Sequence, residues 1–256
     1  MLDYAAFPQQ RQVLICQILQ ENGRVVCAEL AARLQVSEHT IRRDLHELSR
    51  EGFCKKVYGG AVLSLPEAGD YSERKDKNRA IKLRIAQQCA RLVKPGGTIF
   101  IDTGTTNLAM AEALPAELAL TVVTNSPEIA AVLVKKPLYD VVMLGGQVQR
   151  ASGGCVGAAA VAQVQGMLFD QGFIGGCAMA PESGLTGFDY ADCEFKKAVI
   201  KQCSEIIVGL TSDKIPAAAR FVVAASSDID VLVVEENISR EYRVAFQQHD
   251  IRIYTV

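Results

Sequence analysis

Apolar residues recur at helical spacing through Val13, Leu14, Ile18 and Leu19, and Gly23 ends that pattern. A second short helix is predicted over 27–34. After a tight turn through Gln35 and Val36, Ser37 stands where a helix N-cap belongs, and a third helix is predicted from there to about Arg50, closed by Gly52. Residues 53–58 and 61–65 flank Gly59-Gly60, which predicts two short strands around a glycine turn, a wing.

Between Pro66 and Asn78 the chain turns polar, with Gly69 and the run Glu73-Arg74-Lys75-Asp76-Lys77. This stretch is expected to be an interdomain linker, dividing a head over 1–65 from a larger domain over 79–256. From Ile81 onward helix and strand alternate: helices over 81–93, 107–114 and 127–134, strands over 98–102, 120–124 and 141–144. Later strands are predicted at 172–175, 206–210, 231–234 and 251–254, and helices near 194–203 and 240–248. The alternation predicts an α/β domain with a largely parallel sheet.

At 256 residues, 49% hydrophobic and 22% charged, the chain has neither the signature of disorder nor an apolar run long enough to cross a bilayer. The first ten residues do not read as a secretory signal, so a cytoplasmic location is expected. No two of the eight cysteines have C-x-x-C spacing, and His39, His46 and His249 form no ligand cluster. No metal or cofactor is predicted. Net charge is −2, so any affinity for nucleic acid must come from local placement.

Such placement exists in the third helix. At about 100° per residue, Leu45 and Leu48 share a face with Ile41, while His39, Arg42, Arg43 and His46 gather on the opposite one. A helix packed through the first set presents two guanidinium forks outward, suited to guanine edges or phosphates. Ser37 can cap the helix or meet a phosphate, and Lys55, Lys56 and Tyr58 in the wing can reach the DNA backbone or minor groove. Base choice is left to His39, Thr40, Arg42 and Arg43. Two adjacent arginines are also an ordinary solvated surface, and residues 1–64 carry eight Lys/Arg against seven acids, so charge alone does not decide.

The stretch V-C-A-E-L-A-A-R-L-Q-V-S-E-H-T-I-R-R-D-L-H-E-L-S-R-E-G-F, followed by Y-G-G-A, resembles the DNA-binding domain of the DeoR family of bacterial repressors. The resemblance implies a winged helix-turn-helix whose second helix enters the major groove of double-stranded operator DNA.

In the larger domain, strand 98–102 runs into Thr103-Gly104-Thr105-Thr106 and then a helix, a junction that suits a phosphate but also makes ordinary strand-to-helix turns. Asn125-Ser126 and Gly145-Gly146 end strands expected nearby, and Arg150 is either a second phosphate contact or a surface arginine. The spacing D-T-G-T-T, T-N-S, L-G-G-x-x-x-R and G-F-I-G, then S-G-L-T and K-K-A-V-I, is similar to the sensor domain of the same family over nearly all of 75–256. That resemblance implies a fold like ribose-5-phosphate isomerase and coenzyme A transferases, and a small phosphorylated metabolite as effector. By it Asp102, Gly104, Thr105, Thr106, Asn125, Gly146, Arg150, Lys196 and Lys214 become candidate effector contacts. Two stretches depart from the family pattern. In Asp192-Cys193-Glu194-Phe195-Lys196 the usual acid is shorter or has passed to Glu194, and in Thr211-Ser212-Asp213-Lys214 the acid has moved next to the lysine.

The expected function is a repressor of a carbohydrate-metabolism operon, a homo-oligomer (dimer or tetramer) and not an enzyme. A sugar-phosphate isomerase-like enzyme and a protein-docking module are the rival readings. Turnover of sugar phosphates would favour the first rival, and the salt dependence of DNA binding tests the second.

Overall fold

The computed structural model describes residues 7–65, 69 and 71–256. The ends of the head (1–6) and of the expected linker (66–68 and 70) lie outside the described residues.

The head begins with α1 (Pro8–Asn22), which has proline at its start and Gly23 in the left-handed conformation at its end, donating to the Leu19 carbonyl. Then come β1 (Arg24–Val26), α2 (Cys27–Leu34), α3 (Glu38–Arg50), β2 (Cys54–Val57) and β3 (Gly60–Leu63). Ser37 caps α3 by accepting from the Thr40 amide at 3.1 Å. Ile15, Leu19, Leu30, Leu34, Ile41, Leu45 and Leu48 close one core between the three helices. Each of these side chains contributes about 2 kcal/mol on leaving water. The wing has a strand the pattern did not predict: β1 pairs with β3, giving the order β1-β3-β2. Gly60 permits this, because a Cβ there would lie 1.9 Å from the Val25 carbonyl oxygen.

The expected linker is helical in part. Residues Tyr71–Asp76 form α4, with Tyr71 buried, and α5 (Arg79–Arg91) follows at once. Beyond it run β4 (Thr98–Ile101), α6 (Thr105–Ala113), β5 (Leu120–Thr124), α7 (Pro127–Leu133) and β6 (Tyr139–Met143). A hairpin, β7 (Gln147–Val148) and β8 (Cys155–Val156), leads into α8 (Ala158–Val164) and β9 (Gln171–Ile174). The rest is β10 (Ala178–Ala180), β11 (Gly184–Gly187), α9 (Tyr190–Ile200), β12 (Ile206–Gly209), β13 (Phe221–Ala224), β14 (Val231–Val234), α10 (Arg240–Gln247) and β15 (Arg252–Thr255).

Seven strands form the main sheet in the order β15-β14-β12-β9-β4-β5-β6, and every neighbouring pair is parallel. Apolar clusters cover both faces, one around Phe100, Phe169 and Phe195, the other around Ile85, Ile99 and Ile207. A small antiparallel sheet, β10-β11-β13, is an addition that the alternation did not predict. From β4 the chain adds strands in one direction, and from β9 in the other. The strand order therefore reverses between β4 and β9, and their carboxyl ends open a crevice there.

Candidate functional site

The α3 surface follows from its packing. Ile41, Leu45 and Leu48 are buried, so His39, Arg42, Arg43 and His46 are exposed on the far side. Lys56 and Tyr58 are exposed beside them and Lys55 is half-buried. A hollow lined by Cys27, Arg42, Leu45, Lys56, Tyr58 and Gly60 separates helix from wing. Arg42 donates to Glu38 at 2.7 Å, and Arg43 lies 3.5 Å from Glu47. Exposed pairs one helical turn apart are worth a few tenths of a kcal/mol, so an incoming phosphate or guanine can replace them. Asp44, on the core side of α3, is buried and ion-paired with Arg11 of α1. The guanidinium-bearing side is therefore held toward solvent by both apolar contacts and a buried ion pair.

The crevice between β4 and β9 is a cavity of about 460 Å³. Thr103 to Asn107 line one side and Gly175, Gly176 and Cys177 another, with Asp189, Asp192 and Lys196 from the α9 end and Lys214 after β12. Gly104 starts α6 without a capping side chain, and the first turn, Thr105, Thr106 and Asn107, lines the cavity with its helix N-terminus. The two strand ends approach closely because residue 175 is glycine: a Cβ there would lie 2.7 Å from the Thr103 carbonyl oxygen.

Below this opening lies a buried charge cluster. Lys196 is ion-paired with Asp192 one turn earlier on α9, and its Nζ lies 3.5 Å from Asp102 Oδ2. That same oxygen accepts from the Gly175 amide at 2.8 Å. Oδ1 of Asp102 and Oδ1 of Asp192 are buried without a hydrogen-bonding partner among the described residues. Burial raises the Asp102 carboxyl to about 7, against the pull of Lys196 and with the help of Asp192. Burial works against the Lys196 charge, but Asp102 and Asp192 outweigh it and hold the ammonium protonated.

The candidate contacts separate into three groups. Gly104, Thr105, Thr106, Lys196 and Lys214 line the cavity. Asp102 sits behind them, fully buried. Asn125, Gly146 and Arg150 are not among its lining residues. Asn125 is a brace, accepting from the Thr103 amide at 2.9 Å and donating to the Cys155 carbonyl at 3.2 Å. Gly146 allows a close approach to the Val156 carbonyl, and the hairpin that follows leaves Arg150 exposed.

The guanidinium at the cavity is instead that of Arg74, from the stretch expected to be linker. It donates to the Ala151 carbonyl and lies over the Tyr71 ring, and its own carbonyl accepts from the buried Lys82 ammonium. Burial, then the nearby Lys214 and Arg74 charges, lower Lys82 to about 8. Both departures resolve in place. Asp192 faces Lys196, whereas Glu194 pairs with Lys197 at 2.7 Å. Asp213 is exposed and Lys214 lines the cavity, donating to the Gly176 carbonyl at 3.2 Å.

Comparison with known proteins matches residues 11–66 to the DeoR-like helix-turn-helix domain and residues 77–236 to the DeoR C terminal sensor domain. The glycerol-3-phosphate regulon repressor of Haemophilus influenzae is 33% identical over 223 residues, 87% of each chain. The HTH-type transcriptional regulator GolR of Listeria innocua is 31% identical over 94% of this chain and 96% of its own. Among solved structures, ribose 5-phosphate isomerase A of Methanocaldococcus jannaschii aligns with 54% of this chain and 55% of its own at 19% identity and a TM-score of 0.40. One relative is named as a repressor and the other as a transcriptional regulator; α3 and the wing fall within the first matched domain, and the cavity lining from Thr103 to Lys214 falls within the second. With an outward-facing helix in a winged head and a crevice at the strand-order reversal of its larger domain, the chain belongs to the DeoR family of transcriptional regulators.

Proposed function

We propose that this regulator is a repressor that holds double-stranded operator DNA through α3 and releases it when a small phosphorylated sugar or polyol enters the β4–β9 cavity. The observation that carries this reading is the chemical polarity of the cavity. Arg74, Lys214 and the α6 N-terminus offer cations and amides to a phosphate, while Asp192, which lines the cavity beside Lys196 and has one oxygen unpartnered, suits a hydroxyl donor. The Haemophilus relative is named for glycerol 3-phosphate, which makes that compound the first probe. Two or four subunits would join, in the cytoplasm, through the domain over 79–256, setting their heads about 34 Å apart, one turn of the duplex. Effector would then favour an arrangement that fits the half-sites less well.

The test separates the two sites. Arg43→Ala should weaken operator binding tenfold or more in fluorescence anisotropy and leave thermal stabilisation by glycerol 3-phosphate or other sugar phosphates intact. Arg74→Met should do the reverse, since the exposed face of α3 is untouched. Normal operator binding by Arg43→Ala would sink the reading head, and a full ligand response in Arg74→Met would sink the cavity assignment.

A further inference from the structure

The head is seated on the rest of the chain by contacts that lead straight back to the cavity. Past the end of β3, Ser64 pairs with Ala218 in a parallel bridge. The Ala218 amide donates to the Leu63 carbonyl at 3.0 Å, and the Leu65 amide to the Ala218 carbonyl at 3.4 Å. Val62 packs against Ala218 and Ala180, and Gly23 lies so close to Pro216 that a Cβ would meet its ring at 2.4 Å. On the flank of this seam Arg24 pairs with Glu182 at 2.6 Å and with Glu241, and lies 5.3 Å from the Tyr242 ring centre. The Tyr242 hydroxyl donates to the Asn22 carbonyl at 2.6 Å.

The strap that receives β3 begins four residues earlier at Lys214, whose ammonium lines the cavity and holds the Gly176 carbonyl. In the other direction the chain leaves β3 and returns to the cavity at Gly69, Glu73 and Arg74. The strap is tied to the small sheet, with the Ala217 amide on the Met179 carbonyl at 3.2 Å and the Ala219 amide on Thr186 Oγ1 at 2.9 Å.

We infer that residues 214–219, with Glu182, Glu241 and Tyr242, form an intramolecular docking surface for the reading head, and that this strap transmits the state of the cavity to it. The transmission rests on the effector reading above; the docking surface does not. A phosphate drawing the Lys214 ammonium off Gly176 moves the strap, and a displacement of about 1 Å is enough to weaken backbone hydrogen bonds such as those between Ala218 and β3. Because β1, β3 and the three helices share one core, the head responds as a body. This route lies within one chain and adds to any rearrangement between subunits.

Amide hydrogen exchange on the full-length chain, without DNA or effector, tests it. Lys214→Met should speed exchange of the Ala218 and Leu65 amides at least tenfold while the β4 amides keep their rates. Arg24→Glu, away from both the cavity and the DNA-facing side, should produce the same local pattern, and adding Glu182→Arg should reverse it. Wild-type rates at Ala218 and Leu65 in Lys214→Met would overturn the transmission. Unchanged rates in Arg24→Glu, or no recovery in the double variant, would overturn the docking surface. Because Arg24 lies outside the core, its arm stands even where Lys214→Met fails to fold. A chain whose amides respond as expected but whose operator affinity ignores glycerol 3-phosphate and other sugar phosphates keeps the docking surface and loses the effector assignment.

Discussion

Among the described residues, Arg11 with Asp44 in the head and Lys196 with Asp102 and Asp192 in the larger domain are buried sets of opposite charges. In the head, both carboxylate oxygens of Asp44 are taken by Arg11, one by Nε and the other by Nη2. In the larger domain, the Lys196 ammonium meets one oxygen of Asp102 and one of Asp192, and the other oxygen of each acid is left without a partner among the described residues. The cost of taking a carboxylate out of water is met in the first case within the chain and only partly in the second. A buried ion pair that closes on itself is architecture, and here it fixes which side of α3 faces outward. One that leaves acceptors over beside a cavity has capacity for a further donor, which is the role proposed above for Asp192. Burial of charge alone would have ranked the two alike.

The largest expected effect breaks the closed pair. Arg11→Met strands Asp44 as a buried charge and should cost about 3–5 kcal/mol of head stability in urea or thermal unfolding, taking operator binding with it. The open cluster carries a pH signature. The Asp102 carboxyl is at about 7 in the folded chain against an ordinary 3.8, so between those values the native state holds more protons than the unfolded one. Stability from this group is therefore present at about pH 4 and lost as the pH rises to about 7, at up to about 1.4 kcal/mol per pH unit. In Asp102→Asn that contribution should vanish, and an unchanged pH dependence of the unfolding free energy would remove the group from the account. Asp192→Asn should cost less, about 1–2 kcal/mol, because Asp102 still faces Lys196. It should weaken ligand-induced stabilisation nonetheless, since an oxygen offered to the cavity is replaced.

What could be read in advance divides along physical lines. Helices with caps of their own, such as α3 behind Ser37 and α1 before Gly23, were visible because capping is local chemistry. So was the repeated strand-helix order that gives a parallel sheet. Strand β1 was invisible because three residues carry no period, and it depends on Gly60 letting two backbones meet. The strands β10 and β11, short and rich in alanine and glycine, gave no alternation either. In the cavity, Gly104 to Thr106, Lys196 and Lys214 could be found as small, hydroxyl or cationic residues just beyond strands or on a helix beside them. Arg74 could not: within Glu73-Arg74-Lys75-Asp76-Lys77 it reads as solvated charge, and only the burial of Tyr71 and the Lys82 hydrogen bond bring it to the site. Arg150 lies in the turn between β7 and β8, exposed and outside the cavity lining, a placement that its spacing from Gly145-Gly146 does not foretell.

The smallest effect sharpens the contrast from the exposed side. Glu38 pairs with Arg42 and Glu47 with Arg43 along α3, where water and salt weaken the attraction, and a glutamine at 47 keeps an acceptor for the Gln12 amide that donates to Glu47 at 2.7 Å. Glu38→Gln together with Glu47→Gln should change unfolding free energy by no more than about 0.5 kcal/mol per site. Operator binding should tighten a few-fold, because two negative charges leave the surface that approaches phosphate and both guanidinium groups are released from their intrahelical partners. The salt dependence supplies the check: the slope of log affinity against log salt should stay the same or steepen, since no phosphate contact is lost. A loss of operator affinity in this variant would mean that the acids hold Arg42 and Arg43 in the geometry that reads DNA. The exposed pairs would then be working parts, as the cavity cluster is proposed to be, and the distinction between closed and open charge would have to extend to the surface.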